Sequence, residues 1–271
     1  MASSSAEYEK EPDGDDDPDD EGEAEEAAER LMMSVERGFA AAKAKGIPAA
    51  TRLLKELRQV CAAGNGLELA LVNDDLQIWQ ISLFDWAFDE SSPLHRDLQT
   101  LSEAKDDLVP LVLRINFPDD FPFSPPLVFC AAPTLHSEYV FDGALCMEML
   151  VDWQVRTHNW LPQPNTLDPN EAIFRDGFRL TECWQPTFGN VETMLVQITA
   201  FLSHSGARVA SCAQQRGGGG GGGGAAAVAA ADAVEAATDA DASIEATQEK
   251  AKRAYENLKA FHDKKGWGRR D

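Results

Sequence analysis

Positive charge is scarce in this chain: 24 Lys and Arg stand against 46 Asp and Glu, a formal net charge of −22 over 271 residues. A basic strip interleaved with aromatics, which nucleic acid would need, is missing, so no nucleic-acid partner is expected. Apolar runs are short as well. No stretch of 18 apolar residues occurs, and the acidic N-terminus has neither the basic region nor the apolar run of a signal peptide, so no membrane partner is expected. Cysteine is sparse and unpaired in pattern: Cys61, Cys130, Cys146, Cys183 and Cys212 are odd in number, show no C-x-x-C spacing and lack the paired ligands of a structural zinc site. A reducing compartment, cytosol or nucleus, is expected, with no metal and no cofactor. The length suits one buried core with accessory segments.

The charge is unevenly spread. Residues 1–30 carry 14 acidic side chains against Lys10 and Arg30, which reads as a solvated acidic tail. Residues 249–271 reverse the sign, with 8 Lys and Arg against 4 Asp and Glu. Between these ends, Leu31, Val35 and Phe39 recur four apart in an Ala/Glu-rich stretch from Glu23 to Lys45, and Gly46 closes it, predicting an accessory helix over 31–47. A second helix opens near Pro48, with Leu53, Leu54, Leu57, Val60 and Cys61 on one stripe and Arg52, Lys55 and Arg58 on the remaining surface.

Strand-like runs follow. Leu67–Val72 and Leu76–Phe84 flank a polar turn at 73–75, and after a Ser/Asp/Pro-rich stretch at 85–107, read as a loop, Leu111, Leu113, Ile115 and Phe117 alternate with Val112, Arg114 and Asn116. Leu127–Ala131 completes a four-stranded antiparallel meander, and prolines at 118, 122, 125 and 126 force a surface connection between its last two strands. Residues 132–189 lack regular periodicity. They include a 31-residue stretch from Val151 to Thr181, read as a lid or an insertion. Val191, Leu195, Ile198 and Leu202 restore helical spacing, residues 217–224 are eight glycines that read as a flexible link, and the Ala/Asp tract to Ala242 predicts no fixed structure. A last amphipathic helix starts near Ser243, uses Ala254, Leu258 and Phe261, and stops at Gly266.

Cys146 lies in an irregular, Gly-containing segment between sheet and helix, where a packing cysteine is unusual and a nucleophile is a candidate. Cys61, Cys130 and Cys183 read as packing residues. The order of helix, four-strand meander, Phe121-Pro122-Phe123-Ser124-Pro125-Pro126, loop cysteine, Trp184-Gln185-Pro186 and helix resembles a ubiquitin-conjugating (E2) enzyme. Four blocks are similar to its Q subfamily: Leu71 to Asp74, Ser92 to Gln99, Gly143-Ala144-Leu145-Cys146-Met147-Glu148, and His262 to Trp267. Larger Q members have a folded N-terminal domain that 47 residues are too short to supply, so the shorter, Q-like members are the nearer comparison.

The resemblance implies an α+β fold of N-terminal helix, antiparallel meander, active-site loop and C-terminal helices. It implies a catalytic domain over 48–271 with insertions at 151–181 and 217–243. Its partners would be ubiquitin, an activating enzyme (E1), ubiquitin ligases (E3) and a substrate protein. A cysteine thiolate exchanges with a thioester more readily than a hydroxyl does, so Cys146 would accept ubiquitin and lose it to an acceptor. Arg52, Lys55, Arg58, Phe123, Trp184, Pro186 and Thr187 would contact E1 or E3.

One departure is informative. The usual His-Pro-Asn upstream of the cysteine is replaced by His136-Ser137-Glu138, so the Asn donor is missing. In its place the resemblance groups Tyr139, His262 and Trp267, with the C-terminal helix returning to Cys146 and His262 accepting a proton from an amine or hydroxyl acceptor. Read from the residues alone, His262 is an exposed helix-end residue and Trp267 a packing anchor. Two other classes stand beside the enzyme: a catalytically inactive, ubiquitin-binding module of the same fold, and an adaptor whose acidic head and Gly/Ala insertion recruit partners.

Overall fold

The computed structural model describes residues 18–63, 66–150, Trp184, 190–214, 223–238 and, near the C-terminus, 249, 252–258, 260 and 264. The insertion expected at 151–181 lies outside the described residues. The fold is α+β, ordered α1 (Pro18–Ala44), α2 (Ala50–Ala62), β1 (Leu67–Leu71), β2 (Ile78–Leu83), α3 (Pro93–Lys105), β3 (Leu111–Asn116), β4 (Leu127–Ala132), β5 (Leu135–His136), β6 (Val140–Phe141), β7 (Ala144–Leu145), α4 (Val191–His204), β8 (Arg208–Val209), α5 (Ala210–Gln214) and α6 (Gly223–Thr238). The expected meander is present, since β1 to β4 pair antiparallel in chain order. The sheet nevertheless has six strands, because β7 adds to β4 and β6 to β7, while β5 and β8 make a separate two-stranded ribbon.

Alternation along β2 and β3 sets two faces. Trp79, Ile81, Leu83, Leu111, Leu113 and Ile115 join the main core with Leu53 and Leu57 of α2 and Met194, Leu195 and Ile198 of α4. Ile78, Gln80, Ser82, Val112, Arg114 and Asn116 fall on the other face and are buried too. Burial lowers the Arg114 pKa, because desolvation penalises its charged form.

Helix boundaries follow local chemistry. Gly46 ends α1 at φ +72°, with its N–H donating to Lys43 O and Ile47 N–H to Ala42 O, the left-handed stop that glycine tolerates. The stretch expected as loop at 85–107 contains α3. Ser92 Oγ accepts the His95 N–H, Pro93 takes the first position, and Leu94, Leu98 and Leu101 are fully buried. The apolar i, i+4, i+7 spacing was present there but masked by Ser, Asp and Pro. Two further expectations are corrected. The acidic residues from Asp19 to Glu29 lie on α1, and the Ala-rich tract forms α6, whose Ala227, Ala231 and Val234 enter the main core. Alanine has the highest helix propensity, and a smooth alanine face lets helices approach closely.

Two ion pairs anchor helices to this framework. Asp97 of α3 takes a bidentate contact from Arg208 at 2.6 and 3.1 Å and also accepts the Val209 N–H. Buried Glu56 of α2 accepts the Val191 N–H at the start of α4 at 2.8 Å, and Arg52 reaches its other oxygen at 2.6 Å. By contrast, the Arg37–Asp74 pair joins two side chains that remain largely in water. Glu56→Ala is expected to destabilise the protein by about 2 kcal/mol, since a buried N–H at a helix start loses its acceptor. Arg37→Ala is expected to cost under about 1 kcal/mol, as exposed pairs do. Urea melts of the two variants check the contrast.

Candidate active site around Cys146

Asp142-Gly143 is a two-residue turn in which both residues have positive φ, 49° and 86°, the geometry that matches the twist of an antiparallel hairpin. It joins β6 to β7, pairing Val140 with Leu145 and Phe141 with Ala144. The Cys146 N–H donates to Tyr139 O at 2.9 Å and extends the ladder by one step. The hairpin is fixed to the sheet where Cys130 N–H donates to Gly143 O at 2.8 Å and Phe129 pairs with Ala144. Cross-strand partners share a face, so Phe141 and Ala144, with Cys146 two residues on, point one way, while Val140 and Leu145 enter the core on the other.

A second apolar cluster covers part of that outward face. Ala254 and Leu258 from the helical stretch 252–258 pack with Ala144, and Phe141, Cys146 and Tyr255 border them. The Tyr255 hydroxyl donates to Val128 O at 2.9 Å, and Asn257 Nδ2 donates to Asp142 Oδ2 at 2.9 Å. Burial pushes the Tyr255 phenol far above its usual range and keeps it a neutral donor. Cys146 is left half-buried. Cys130, fully enclosed, has its thiol pushed up to about 12 by burial, and the Cys212 thiol is also raised, mainly by burial. Cys61, expected to pack on the apolar stripe, stands exposed at the end of α2 instead, with no strand pairing to orient it.

The other expected residues divide. Tyr139 meets Cys146 through the backbone, but its ring, 43% exposed, lies edge-on to Phe201 of α4 with centroids 6.1 Å apart. Phe123 is 65% exposed at the tip of the Pro-rich turn. An aromatic series from Trp79 through Phe117 and Phe121 to Trp184, with successive centroids 4.7, 4.9 and 5.8 Å apart, holds that turn from below. Trp184 therefore departs from the expected ligase contact. It is 1% exposed and its Nε1–H donates to Pro122 O at 2.7 Å, so it positions the turn and cannot itself meet a partner. Arg52 is half engaged with Glu56, whereas Lys55 and Arg58 face solvent. His262, Trp267, Pro186 and Thr187 lie outside the described residues.

Sequence reasoning missed Tyr255, Asn257 and the hairpin itself. The Asp-Gly dipeptide signals a two-residue turn, and Tyr255 flanks the Ala254/Leu258 stripe already recognised.

The chain is 40% identical over 109 residues to Ubiquitin-conjugating enzyme E2 Q1 of Homo sapiens, covering 38% of this chain and 25% of that protein. To the Q-like protein 1 of the ubiquitin-conjugating enzymes of Mus musculus it is 35% identical over 99 residues, covering 36% of this chain and 57% of that one. Among solved structures, human Ubiquitin-conjugating enzyme E2 G1 is similar at a TM-score of 0.37 and 17% identity, over 58% of this chain and 96% of that one, a likeness too weak to carry an argument. No protein-family model matches the chain. The α+β order of helix, antiparallel meander, cysteine hairpin and helix is the one expected of a ubiquitin-conjugating fold. Over about a hundred residues the chain is similar in sequence to ubiquitin-conjugating enzymes of the Q and Q-like branch. The match spans between a quarter and 57% of those relatives' own length.

Gly143 decides whether Cys146 keeps its place. A Cβ there would meet Cys130 O at 2.5 Å, and φ of +86° disfavours any L side chain. Gly143→Ala is expected to cost about 1–3 kcal/mol and to disturb the Cys146 strand. Thermal melts and amide exchange at Cys146 check it.

Proposed function

We propose that this protein is a ubiquitin-conjugating enzyme that accepts ubiquitin as a thioester on Cys146 and passes it to an amine or hydroxyl of a substrate protein. The observation that carries the reading is the setting of Cys146. It is half-exposed at the end of a two-residue hairpin, on the outward face of the sheet, in a chain related to the Q and Q-like enzymes. The incoming Cys146 sulfur attacks the ubiquitin carbonyl carbon, the activating enzyme's thiol leaves, and a second attack by the acceptor releases Cys146. A half-covered, oriented thiol suits exchange between thioesters, which are of similar energy and need placement more than driving force.

Lys55 and Arg58, with Arg52 behind them, are the proposed contacts for E1, and Phe123 with Pro186 and Thr187 the proposed contacts for E3. The exposed Phe123 ring and the outward Lys55 and Arg58 support that assignment. Trp184 is left out of it, being buried. Tyr139, His262 and Trp267 are the proposed acceptor pocket in place of the missing Asn. His262 takes the acceptor's proton near neutral pH, which a hydroxyl needs more than an amine does. The return of residues 252–258 to the Cys146 hairpin supports this grouping, because His262 follows Leu258 by four residues. The site of action is the cytosol or nucleus. Among the described residues no helix is long and apolar enough to cross a membrane.

Incubation with E1, ATP and ubiquitin is expected to give a thiol-sensitive adduct, and Cys146→Ser is expected to give a thiol-resistant ester or none. A wild-type chain that stays uncharged beside an active control enzyme would return the protein to the class of inactive ubiquitin-binding modules. In single-turnover discharge, His262→Ala is expected to charge but to release ubiquitin slowly, most visibly to serine; release to lysine and serine at the wild-type rates would remove His262 from the mechanism.

A further inference from the structure

The helical stretch 252–258 does more than return near Cys146. Ala254 and Leu258 are buried against Ala144, the strand residue two before Cys146, and Tyr255 and Phe141 complete an apolar border beside the thiol. The stretch is tied down at two separated points, by Tyr255 Oη to Val128 O on β4 and by Asn257 to Asp142 in the hairpin turn. The first bond is part-buried and the second exposed, and their separation along the stretch makes the contact a built junction. The other side is different: Tyr139 meets Cys146 through its carbonyl, and its ring, 43% exposed, turns to Phe201 of α4 and takes no part in this cluster.

We infer that Tyr255 is a positioning residue that holds the 252–258 stretch as an apolar wall beside Cys146, limiting access of water and small electrophiles to the sulfur and leaving approach from the Tyr139 flank. As it concerns water, the inference rests on the reading of Cys146 as the ubiquitin acceptor. In hydrolysis a water oxygen attacks the ubiquitin carbonyl carbon and the C–S bond breaks. Ubiquitin departs as a carboxylate, and the Cys146 thiolate takes up a proton. A wall on one side removes a share of the directions from which water can make that attack. An acceptor held by the protein on the Tyr139 side keeps its own. The wall therefore acts on the partition between hydrolysis and transfer.

The full chain offers an internal control, because Cys61 is exposed on α2, away from the cluster. Wild type, Tyr255→Phe, Tyr255→Ala and Asn257→Ala are treated with iodoacetamide, and labelling of Cys146 relative to Cys61 is followed by peptide mass spectrometry. The ratio is expected to rise about five- to tenfold in Tyr255→Phe, the fold-change of one net hydrogen bond, and further in Tyr255→Ala, which loses the ring as well. A purely structural loss would lower the melting temperature and leave that ratio unchanged. If Tyr255→Ala does not fold, Tyr255→Phe and Asn257→Ala decide, and an unchanged ratio in both overturns the wall. Charged enzyme is then left with and without lysine. Hydrolysis relative to transfer is expected to rise in the same order, and an unchanged partition overturns the part concerning water. A wild type that never charges defeats the proposed function, while the alkylation ratio still decides the wall.

Discussion

The contact between Cys130 N–H and Gly143 O is the constraint on which the site depends. β4 belongs to the meander and is fixed by 3 antiparallel pairings in series; β6 and β7 are only two residues each. An isolated hairpin of that length is unstable in water. It persists because β7 borrows order from β4 through this bond and the Phe129–Ala144 pair, and because Val140 and Leu145 are sunk in the main core. Cys146 is thus placed by a strand edge, one residue past a rigid ladder, with its side chain on the face away from the core.

That arrangement separates two tasks that the proposed ubiquitin transfer imposes on Cys146. The thiol must be held still, yet it must stay reachable by a carbonyl carbon carried on another protein. Backbone pairing supplies the first without enclosing the sulfur. Partial cover from the 252–258 stretch packs one side of the Cys146 hairpin and leaves the cysteine half-buried. The deeply buried Cys130 shows what full enclosure does: its thiol is pushed up to about 12, where it is inert.

The outer face of β2 and β3 shows the same economy of position. Gln80, Arg114 and Asn116 alternate with large apolar residues, as in a sheet with one wet side, yet all three are buried. Both faces of the central strands are therefore used. The helices on the core side are tied by ion pairs that act as caps: Glu56 accepts the first N–H of α4, and Asp97 joins α3 to β8. Each carboxylate has more than one partner, which offsets part of its loss of water and makes removal of either side costly.

Hydrophobic period and turn chemistry determined much by themselves. The stripe of α2, the alternation of β2 and β3 and the glycine stop of α1 are local patterns, and each element formed where its pattern lay. The loop setting of Cys146 was legible for the same reason, although the Asp-Gly turn that makes it a hairpin was passed over. What tertiary structure alone decided depends on contacts between distant residues. α6 carries almost no amphipathic signal and is fixed by packing Ala227, Ala231 and Val234 into the core. Trp184 looked like a surface contact beside Pro186 and is instead buried against a turn 62 residues earlier. Tyr255 could not be assigned to the cysteine until a helix more than a hundred residues away had been laid across the hairpin. A residue's neighbours along the chain set its local conformation, but burial and the direction of approach to a thiol are properties of the assembled sheet and its covering helices.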